Sequence, residues 1–309
     1  MSDAPQAGVR SDATRGVLFG LGAYTLWGCF PLYFALFEGI PAFEVLIHRV
    51  IWSCVFLAGL ITLMKRWAPV RAALGEPRRL GFVLGCAVFI ALNWGVYIYA
   101  VETRQVLQAS LGYFLTPLVN VAMGMVILRE TITRLQAVAV ALAGLAIVYQ
   151  LALLGVVPWI TLTLAFSFGS YGLFRKKVAL DGLSGLFVET LLLAPMALLA
   201  WAWLASRGQS HFSDSAPDLL LLVSSGVVTA VPLLAFAGAA RRLRLATVGF
   251  LMYINPTLQF LIAWQVFHEP LSPEKLISFA MIWCALALYS VSAWRGRSRR
   301  GASSLASGR

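Results

Sequence analysis

The chain is divided into apolar runs of about 20 residues, the length that a helix needs to cross the hydrocarbon core of a membrane. Runs of this length exclude the alternating segments of about 10 residues that a membrane β-barrel requires, so helices must satisfy the backbone hydrogen bonds. The sequence therefore predicts an all-α integral membrane protein with ten transmembrane helices. The predicted spans are 17–37, 43–64, 80–101, 106–128, 131–151, 157–174, 185–204, 219–239, 246–267 and 276–294.

The composition agrees with a chain whose main solvent is lipid. Apolar residues make up 60% of the sequence and charged residues only 12%, whereas a soluble domain carries roughly a quarter charged residues. The basic residues that give the net charge of +11 lie between the apolar runs. They therefore predict the topology of the spans, and we expect no nucleic-acid partner. The four cysteines fall inside apolar runs without the spacing of metal ligands. We therefore expect neither a metal site nor a cofactor.

The positions of the basic residues predict the orientation of the spans. With the N-terminus inside, the cytoplasmic segments would hold 20 of the 24 Lys and Arg residues, and the opposite segments would hold Arg104, Arg207 and Lys275. Cytoplasmic loops carry such an excess of positive charge. The alternation persists through ten spans, and a miscount by one would destroy it. Both termini are therefore predicted to lie in the cytoplasm.

The sequence also contains a weak internal repeat. Residues 108–150 and 247–289 align without a gap, which pairs Pro117 with Pro256 and Glu130 with Glu269. Five spans per copy is an odd number, so the second copy must be inserted in the opposite orientation, an arrangement that recurs in transporters. The predicted organisation is a disordered cytoplasmic tail at 1–16, two inverted five-helix repeats at 17–151 and 157–294, and a basic cytoplasmic tail at 295–309 that is also expected to be disordered.

Five motifs carry a resemblance to a known family. They are EVLIHRVIWS at 44–53, QASLGYFLTPLVN at 108–120, FSFGSYGLFRKK at 166–177, VTAVPLL at 228–234 and RLRLAT at 242–247. Together they resemble the RarD proteins, in the EamA-type branch of the drug/metabolite transporter superfamily. The resemblance implies secondary transport in the bacterial inner membrane, and the RarD name is linked to chloramphenicol sensitivity. One departure is Thr116 before Pro117, where RarD proteins usually have Asn, which puts a ligand role for Thr116 in doubt.

Ionisable residues inside predicted spans are functional candidates by default, because charge is costly there. Glu44 and His48 are four residues apart on one helix face, with Arg49 adjacent, and Glu189 lies in the matching span of the second repeat. In the functional interpretation, Arg49 offers positive charge to a substrate or gate, and His48 or Glu189 exchanges protons. In the alternative, a carboxylate simply neutralises Arg49, and Glu44 and Glu189 reach the interfaces.

Two prolines and several polar or aromatic residues suggest a cavity. Pro117 and Pro256 each free a helical carbonyl, and Asn255 can bond such a carbonyl or a substrate. The alternative is a set of kinked packing helices joined by intramembrane hydrogen bonds. Tyr24 and Trp27 in the first span are similar candidates, while His211 and His268 lie in outer loops and are expected to be solvated. The remaining candidate lining residues are Asn93, Trp94, Tyr97, Gln108, Tyr113, Asn120, Tyr171 and Gln259.

The sequence shows no phosphate-binding loop, HExxH zinc motif or nucleophile elbow. We therefore do not expect an enzyme, and transport would draw on an ion gradient or on the gradient of the solute. The prediction is a secondary transporter, an exporter of a small metabolite or drug-like solute by alternating access, with protons as candidate coupling ions. Alternatives are an uncoupled exchanger or facilitator, a membrane sensor without transport and an intramembrane enzyme. The oligomeric state is left open.

Overall fold

All regular elements of the described residues are helical. The computed structural model describes residues 4–127, 129, 131–154, 157–178, 180–243 and 245–306. Within these ranges, side chains are not described at 4–13, 154, 176, 245–246 and 293–306. Glu130, which the repeat pairs with Glu269, lies outside the described residues. The helices are α1 Ala4–Gly28, α2 Phe30–Phe34, α3 Ala42–Leu63, α4 Trp67–Leu74, α5 Pro77–Glu102, α6 Val106–Ile127, α7 Arg134–Leu154, α8 Trp159–Val178, α9 Gly182–Ser206, α10 Ala216–Ala240, α11 Leu245–Leu251, α12 Ile254–Leu261 and α13 Pro273–Ala306, and a π-helical turn, Ile262–Val266, follows α12.

Eight helical segments of the described chain are long and apolar enough to cross a membrane. They coincide with eight of the ten predicted spans. The sixth predicted span forms α8, whose end carries Arg175 and Lys177, so its apolar stretch is short. The ninth is interrupted between α11 and α12 and continues as the π-helical turn. Helix thus occupies all ten predicted runs, but only eight satisfy the criterion of length and composition, and the count of ten stays a prediction.

Helix also extends into both segments that the sequence predicts as disordered tails. The helix α1 begins at Ala4, and α13 continues to Ala306. Each tail is continuous with an apolar helix, so every added residue extends an existing hydrogen-bond ladder and avoids the cost of nucleation. This is a difference from the sequence prediction at 1–16 and 295–309.

The helices pack so that α7 and α13 lie against each other, away from a central group. In that group α5 contacts α8, α1 contacts α10, and α3 contacts both α9 and α10. The helix α12 lies between α1 and α6. Apolar side chains on α7 stay exposed, for example Leu145 and Val148. Exposed apolar surface on this scale is expected where lipid is the solvent.

The two ends of the bundle are held by different contacts. At one end, here called the basic side, Arg66 before α4 pairs with Asp181 before α9 across 3.3 Å. At the other end, the distal side, Glu269 accepts hydrogen bonds from the backbone N–H groups of Val106 and Leu107 at 2.6 and 2.9 Å. Glu269 therefore caps the N-terminus of α6, where the orphan N–H groups favour a carboxylate.

The two repeat-related prolines differ in effect. The helix α6 continues through Pro117 from Val106 to Ile127. The hydroxyl of Thr116 donates to the carbonyl of Gly112 at 3.1 Å, within the same helix. In the second copy the helix is already interrupted before Asn255, and Pro256 lies in the first turn of α12, where its missing N–H is tolerated.

Candidate functional site

A central cavity of about 390 Å³ lies among the helices of the bundle. The helices α1, α2, α3, α5, α6, α8, α9, α10 and α12 contribute to its wall, while α7 and α13 do not. Aromatic residues are the largest class in its lining, ten of 24, beside seven other residues with polar or charged side chains. A largely apolar wall with polar groups at a few places is typical of a binding site for a small molecule. Eleven residues predicted from sequence as candidates line it: Tyr24, Trp27, Arg49, Asn93, Trp94, Tyr97, Tyr113, Tyr171, Asn255, Pro256 and Gln259.

Arg49 is a buried charged group in the wall of this cavity, at 3% exposure. Its Nε donates a hydrogen bond to the hydroxyl of Thr229 at 3.0 Å. Its guanidinium carbon lies 4.1 Å from the ring centroid of Trp94 and 5.1 Å from that of Phe34. Arginine stacks on aromatic faces because the ring quadrupole attracts the cation. The rings partly compensate for the lost hydration of Arg49 without neutralising its charge.

No carboxylate among the described residues forms an ion pair with Arg49. Its Nη1 is buried and has no hydrogen-bond partner. The alternative interpretation from sequence, in which a carboxylate neutralises Arg49, is therefore not what the structure presents. A buried cation with an unused donor at a cavity wall is a site prepared for an acceptor group.

A polar network joins three helices in the cavity wall. The amide of Asn93 donates to the carbonyl of Leu164 at 3.2 Å and to the hydroxyl of Ser167 at 3.0 Å, both on α8. The hydroxyl of Tyr113 donates to the oxygen of Asn93 at 3.0 Å. The hydroxyl of Tyr97, in contrast, is buried without a partner. Asn93 thus joins α5, α6 and α8, and Tyr97 keeps a free polar atom at the cavity.

The interrupted ninth span supplies the polar residues from the second half. The amide nitrogen of Gln259 donates to the side-chain oxygen of Asn255 at 2.7 Å, one turn earlier in α12. The hydroxyl of Ser110 on α6 donates to the carbonyl of Pro256 at 2.8 Å. The Oε1 atom of Gln259 is buried and has no partner. The interruption therefore brings an amide oxygen to the cavity.

Glu189 lies beside the cavity and reaches it only through other residues. It is fully buried, accepts a hydrogen bond from Arg175 at 2.8 Å and accepts another from the hydroxyl of Tyr171 at 3.4 Å. Arg175 also donates to the carbonyl of Asp181 at 2.8 Å. Because Arg175 and Tyr171 line the cavity, this pair forms its wall towards the basic side. In this structure the carboxylate of Glu189 already has a cationic partner.

Asp181, whose carbonyl bonds Arg175 of that wall, lies between α8 and α9 and carries a charge stabilised by its neighbours. Although burial raises the pKa of the Asp181 carboxyl, hydrogen bonds from Ser184 and Leu183 and the charge of Arg66 lower it more, so it lies below its ordinary value. Asp181 also caps α9, since its side chain accepts the N–H of Ser184.

Glu44 and His48 belong to a separate distal cluster. The carboxylate of Glu44 accepts the hydroxyl of Ser210 at 2.9 Å and the backbone N–H of His211 at 2.7 Å, and its other oxygen lies 2.6 Å from Nδ1 of His211. The ring of His48 stacks on Phe212 at 4.8 Å, and neither of its nitrogens has a hydrogen-bond partner. His211, expected to be solvated, instead fastens the loop 207–215 to α3.

Three further candidates also lie outside the cavity lining. Gln108 and Pro117 are on other faces of α6, and Asn120 is exposed. The lining also includes residues that the sequence does not single out as site candidates, among them Phe30, Thr229 and Arg175. In the sequence analysis Arg175 contributes only to the positive charge of a cytoplasmic loop. It is the first residue of the basic triplet at 175–177 and therefore the one nearest the membrane, which is the signal that could have identified it. Thr229 stands in the VTAVPLL motif, but a lone threonine in an apolar helix carries no distinguishing pattern.

The cavity is closed towards the distal side. Phe30, Phe34 and Phe37 are buried there, and the rings of Phe34 and Tyr97 are 5.9 Å apart. The hydroxyl of Tyr33 bonds the carbonyl of Leu221 on α10 at 2.8 Å. Towards the basic side, by contrast, the lining continues to Arg175 at the end of α8, whose side chain is 18% exposed. The structure is thus more open towards the basic side.

Comparisons with known proteins agree on one family. The sequence profile of the EamA-like transporter family matches the chain twice, at residues 14–151 and 156–291. A protein of Vibrio cholerae named "Uncharacterized transporter" is 45% identical over 91% of this chain and 94% of its own. The "Protein RarD" of Salmonella typhi is 45% identical over 90% of this chain and 95% of its own.

Two further comparisons extend the similarity. The "Chloramphenicol-sensitive protein RarD" of Pseudomonas aeruginosa is 35% identical over 93% of this chain and 98% of its own. A solved crystal structure of a protein superposes with a TM-score of 0.57 at 18% identity, covering 89% of this chain and 97% of that one. At that identity the superposition shows a shared fold alone.

Proposed function

Because this chain belongs to the EamA-like transporter family, as a multi-pass protein of the inner membrane, we propose that it is a secondary transporter that exports a small metabolite or drug-like solute by alternating access. In this proposal ten spans form two inverted five-helix halves, with both termini in the cytoplasm. The carrying observation is a central cavity walled by helices of both family-matched segments, open towards one side and closed by aromatic rings towards the other.

The helix contacts support a twofold relation between the two halves, which an odd number of spans per half would make an inverted one. The contact of α5 with α8 has a counterpart in that of α10 with α1, which is its image if the two halves exchange places. Helices at equivalent positions meet each other directly, as α3 meets α9, α6 meets α12, and α7 meets α13. A pseudo-twofold axis through these three self-pairs would pass beside the cavity. Rocking of two such halves about a fixed site is the usual form of alternating access.

The two ends of the cavity would act as alternate gates. In the described state the basic side is the more open one, so with that side in the cytoplasm a solute would enter from the cytoplasm. Export would require the contacts of Tyr33 and of Glu269 on the distal side to separate while Arg175 closes the basic side. These contacts are few and polar, and each involves a residue near a helix end, as expected of elements that move.

Proton coupling through Glu189 or His48 is the first hypothesis for the energy source. Transport of a solute into sealed vesicles, with and without a pH gradient, tests it. The wild-type flux should follow the gradient, and Glu189→Gln should make flux indifferent to it. A flux that ignores the gradient in the wild type would contradict proton coupling.

An uncoupled exchanger is the second hypothesis, and one observation favours it. Glu189 is already paired with Arg175 at 2.8 Å and with Tyr171, so in this state it is not a free proton acceptor. The same vesicles loaded with solute on the far side discriminate the two. Exchange predicts that far-side solute accelerates uptake with no pH gradient present.

The relative from Pseudomonas aeruginosa carries chloramphenicol sensitivity in its name. For this chain we propose only that a drug-like, partly aromatic molecule is compatible with the aromatic lining of the cavity. Comparison of the metabolites of cells with and without the gene, followed by vesicle uptake of the strongest hit, would identify the physiological solute.

A further inference from the structure

We propose that the solute bound in the central cavity is an organic anion with a flat apolar body, and that Arg49 binds its charged group. The inference rests on the proposed function, because it names the class of molecule that the transporter would carry. It begins from the charge of Arg49, which the described part of the chain leaves without a carboxylate partner.

Other acidic groups near α3 are already engaged. Glu44, the carboxylate on the same helix, is held by Ser210 and His211. Glu189 is held by Arg175. Since each has its own partner at hydrogen-bonding distance, neither is available to Arg49 in this arrangement. The described chain therefore supplies no carboxylate at ion-pair distance from Arg49, and a bound anion would supply the compensating negative charge.

The guanidinium is oriented for one acceptor. Thr229 takes the Nε hydrogen bond, and the guanidinium carbon lies over the ring of Trp94 at 4.1 Å. The Nη1 atom stays buried without a partner at the cavity wall. Donors at one edge of a guanidinium match the geometry of a carboxylate or phosphate-like group. A neutral solute would leave the buried charge uncompensated, and a cation would be repelled.

Two further polar atoms without a hydrogen-bond partner indicate which groups the solute should carry. The hydroxyl of Tyr97 can donate to the same anionic group, since it has no other partner. The Oε1 atom of Gln259 accepts, so the solute should carry a hydrogen-bond donor away from its charge. The cavity wall also contains Trp27, Tyr24 and Phe236, whose rings are in mutual contact. Such a wall favours a flat apolar body.

The test measures equilibrium binding to the purified full chain in detergent, using matched pairs of an anion and its neutral amide. The pairs are indole-3-acetate with indole-3-acetamide, and phenylacetate with phenylacetamide, and inorganic phosphate reports a small anion without the apolar body. Members of a pair differ in charge and hardly in shape. At least one organic anion should bind about ten- to a hundredfold more tightly than its amide, the range for a charge-assisted hydrogen bond.

Variants assign that preference to a residue. Arg49→Gln should abolish the difference between anion and amide, and Arg49→Lys should retain part of it. Arg104→Gln is the matched control, because Arg104 also stacks on a ring, that of Phe267 at 4.7 Å, but lies outside the cavity lining. It should leave the preference unchanged. Melting behaviour of each variant is recorded first, and if Arg49→Gln fails to fold, the wild-type ratio and Arg49→Lys still decide.

Three results would overturn the proposal: amides that bind as well as their anions, a preference that survives in Arg49→Gln, or no organic anion that binds better than phosphate. Failure of the transport proposal would look different. A protein that binds anions but moves no solute in vesicles would refute transport and keep the inference, whereas flux that is indifferent to solute charge would refute the inference alone.

Discussion

The guanidinium of Arg49 on α3 lies 4.1 Å from the ring centroid of Trp94 on α5, and its Nε bonds Thr229 on α10. A single cation therefore joins three helices, of which α10 lies in the second family-matched segment. Movement of one segment against the other would alter the surroundings of this charge. The contact links the packing of the bundle to the chemistry of its cavity.

The first prediction concerns the ring beneath Arg49. Trp94→Leu should reduce the free energy of unfolding by more than Trp94→Phe, because phenylalanine keeps an aromatic face worth about 0.5–2 kcal/mol to the cation. Thermal unfolding in detergent measures both. In an Arg49→Met background the advantage of Phe over Leu should shrink, and an unchanged advantage would show that ring packing alone is responsible.

The second prediction separates the partners of the Arg175–Glu189 pair. Glu189 is fully buried, while the side chain of Arg175 is 18% exposed. Arg175→Gln should therefore destabilise more than Glu189→Gln, because it leaves a buried carboxylate without its cation, a change that costs about 3–5 kcal/mol for fully buried pairs. Thermal unfolding is the measurement.

The double variant Arg175→Gln/Glu189→Gln is the control for that order. It removes both charges and should recover part of the stability lost in Arg175→Gln. Two results would contradict the account of this pair. One is an equal loss of stability in the two single variants, and the other is a loss in the double variant that equals the sum of the two single losses.

The third prediction tests the close approach of α10 to α3. A Cβ at Gly226 would overlap the backbone of Trp52, which has no flexible atom to move aside. Gly226→Ala should destabilise by about 1–3 kcal/mol, as overpacking does. Gly144→Ala on α7 is the matched control, because a Cβ there meets nothing within 4 Å. It should be neutral or stabilising, by up to about 1 kcal/mol. Similar unfolding temperatures for both variants would refute the close contact.

Sequence patterns predicted the helices well because apolar length is a local property. The interruption of the ninth span was less accessible, since Pro256 predicts a kink but not the break before Asn255 or the π-helical turn after α12. Continuity through Pro117 was likewise unexpected from a shared proline pattern. Here tertiary packing decides between two prolines whose local sequences are similar.

Within the site, the local sequence pattern identifies some residues and cannot identify those whose role depends on a distant partner. A charge inside an apolar run marks Arg49 directly, so its place in the cavity was predictable. Glu44 shares that signal, but its partner is His211, 167 residues further along the chain. No spacing rule connects such residues. Arg175 was predictable as a charge and not as a cavity residue, because its role depends on Glu189 in the next helix.

The fourth prediction concerns the distal loop. Glu44 holds residues 210 and 211 through three contacts. Glu44→Ala should release the loop and raise the rate of trypsin cleavage after the exposed Arg207 by about tenfold, the effect of losing one charged hydrogen bond from a locally opening segment. Mass spectrometry of the fragments measures the rate at this site.

Glu102→Gln serves as the control for loop release. Glu102 is also distal, but among the described residues it accepts one hydrogen bond, from the backbone N–H of Ala42 at 3.3 Å. Cleavage after Arg207 should be unchanged in this variant. If Glu44→Ala and Glu102→Gln are cut at the same rate, the fastening of the loop by Glu44 is refuted.

The most direct test of the whole account is counterflow in proteoliposomes, using the solute that metabolite comparison identifies. Vesicles loaded with unlabelled solute should take up labelled solute with saturable kinetics, Arg49→Gln should abolish that uptake, and Arg104→Gln should preserve it. Uptake by Arg49→Gln equal to that of the wild type would show that the solute does not pass through the cavity at Arg49, and would contradict the central claim.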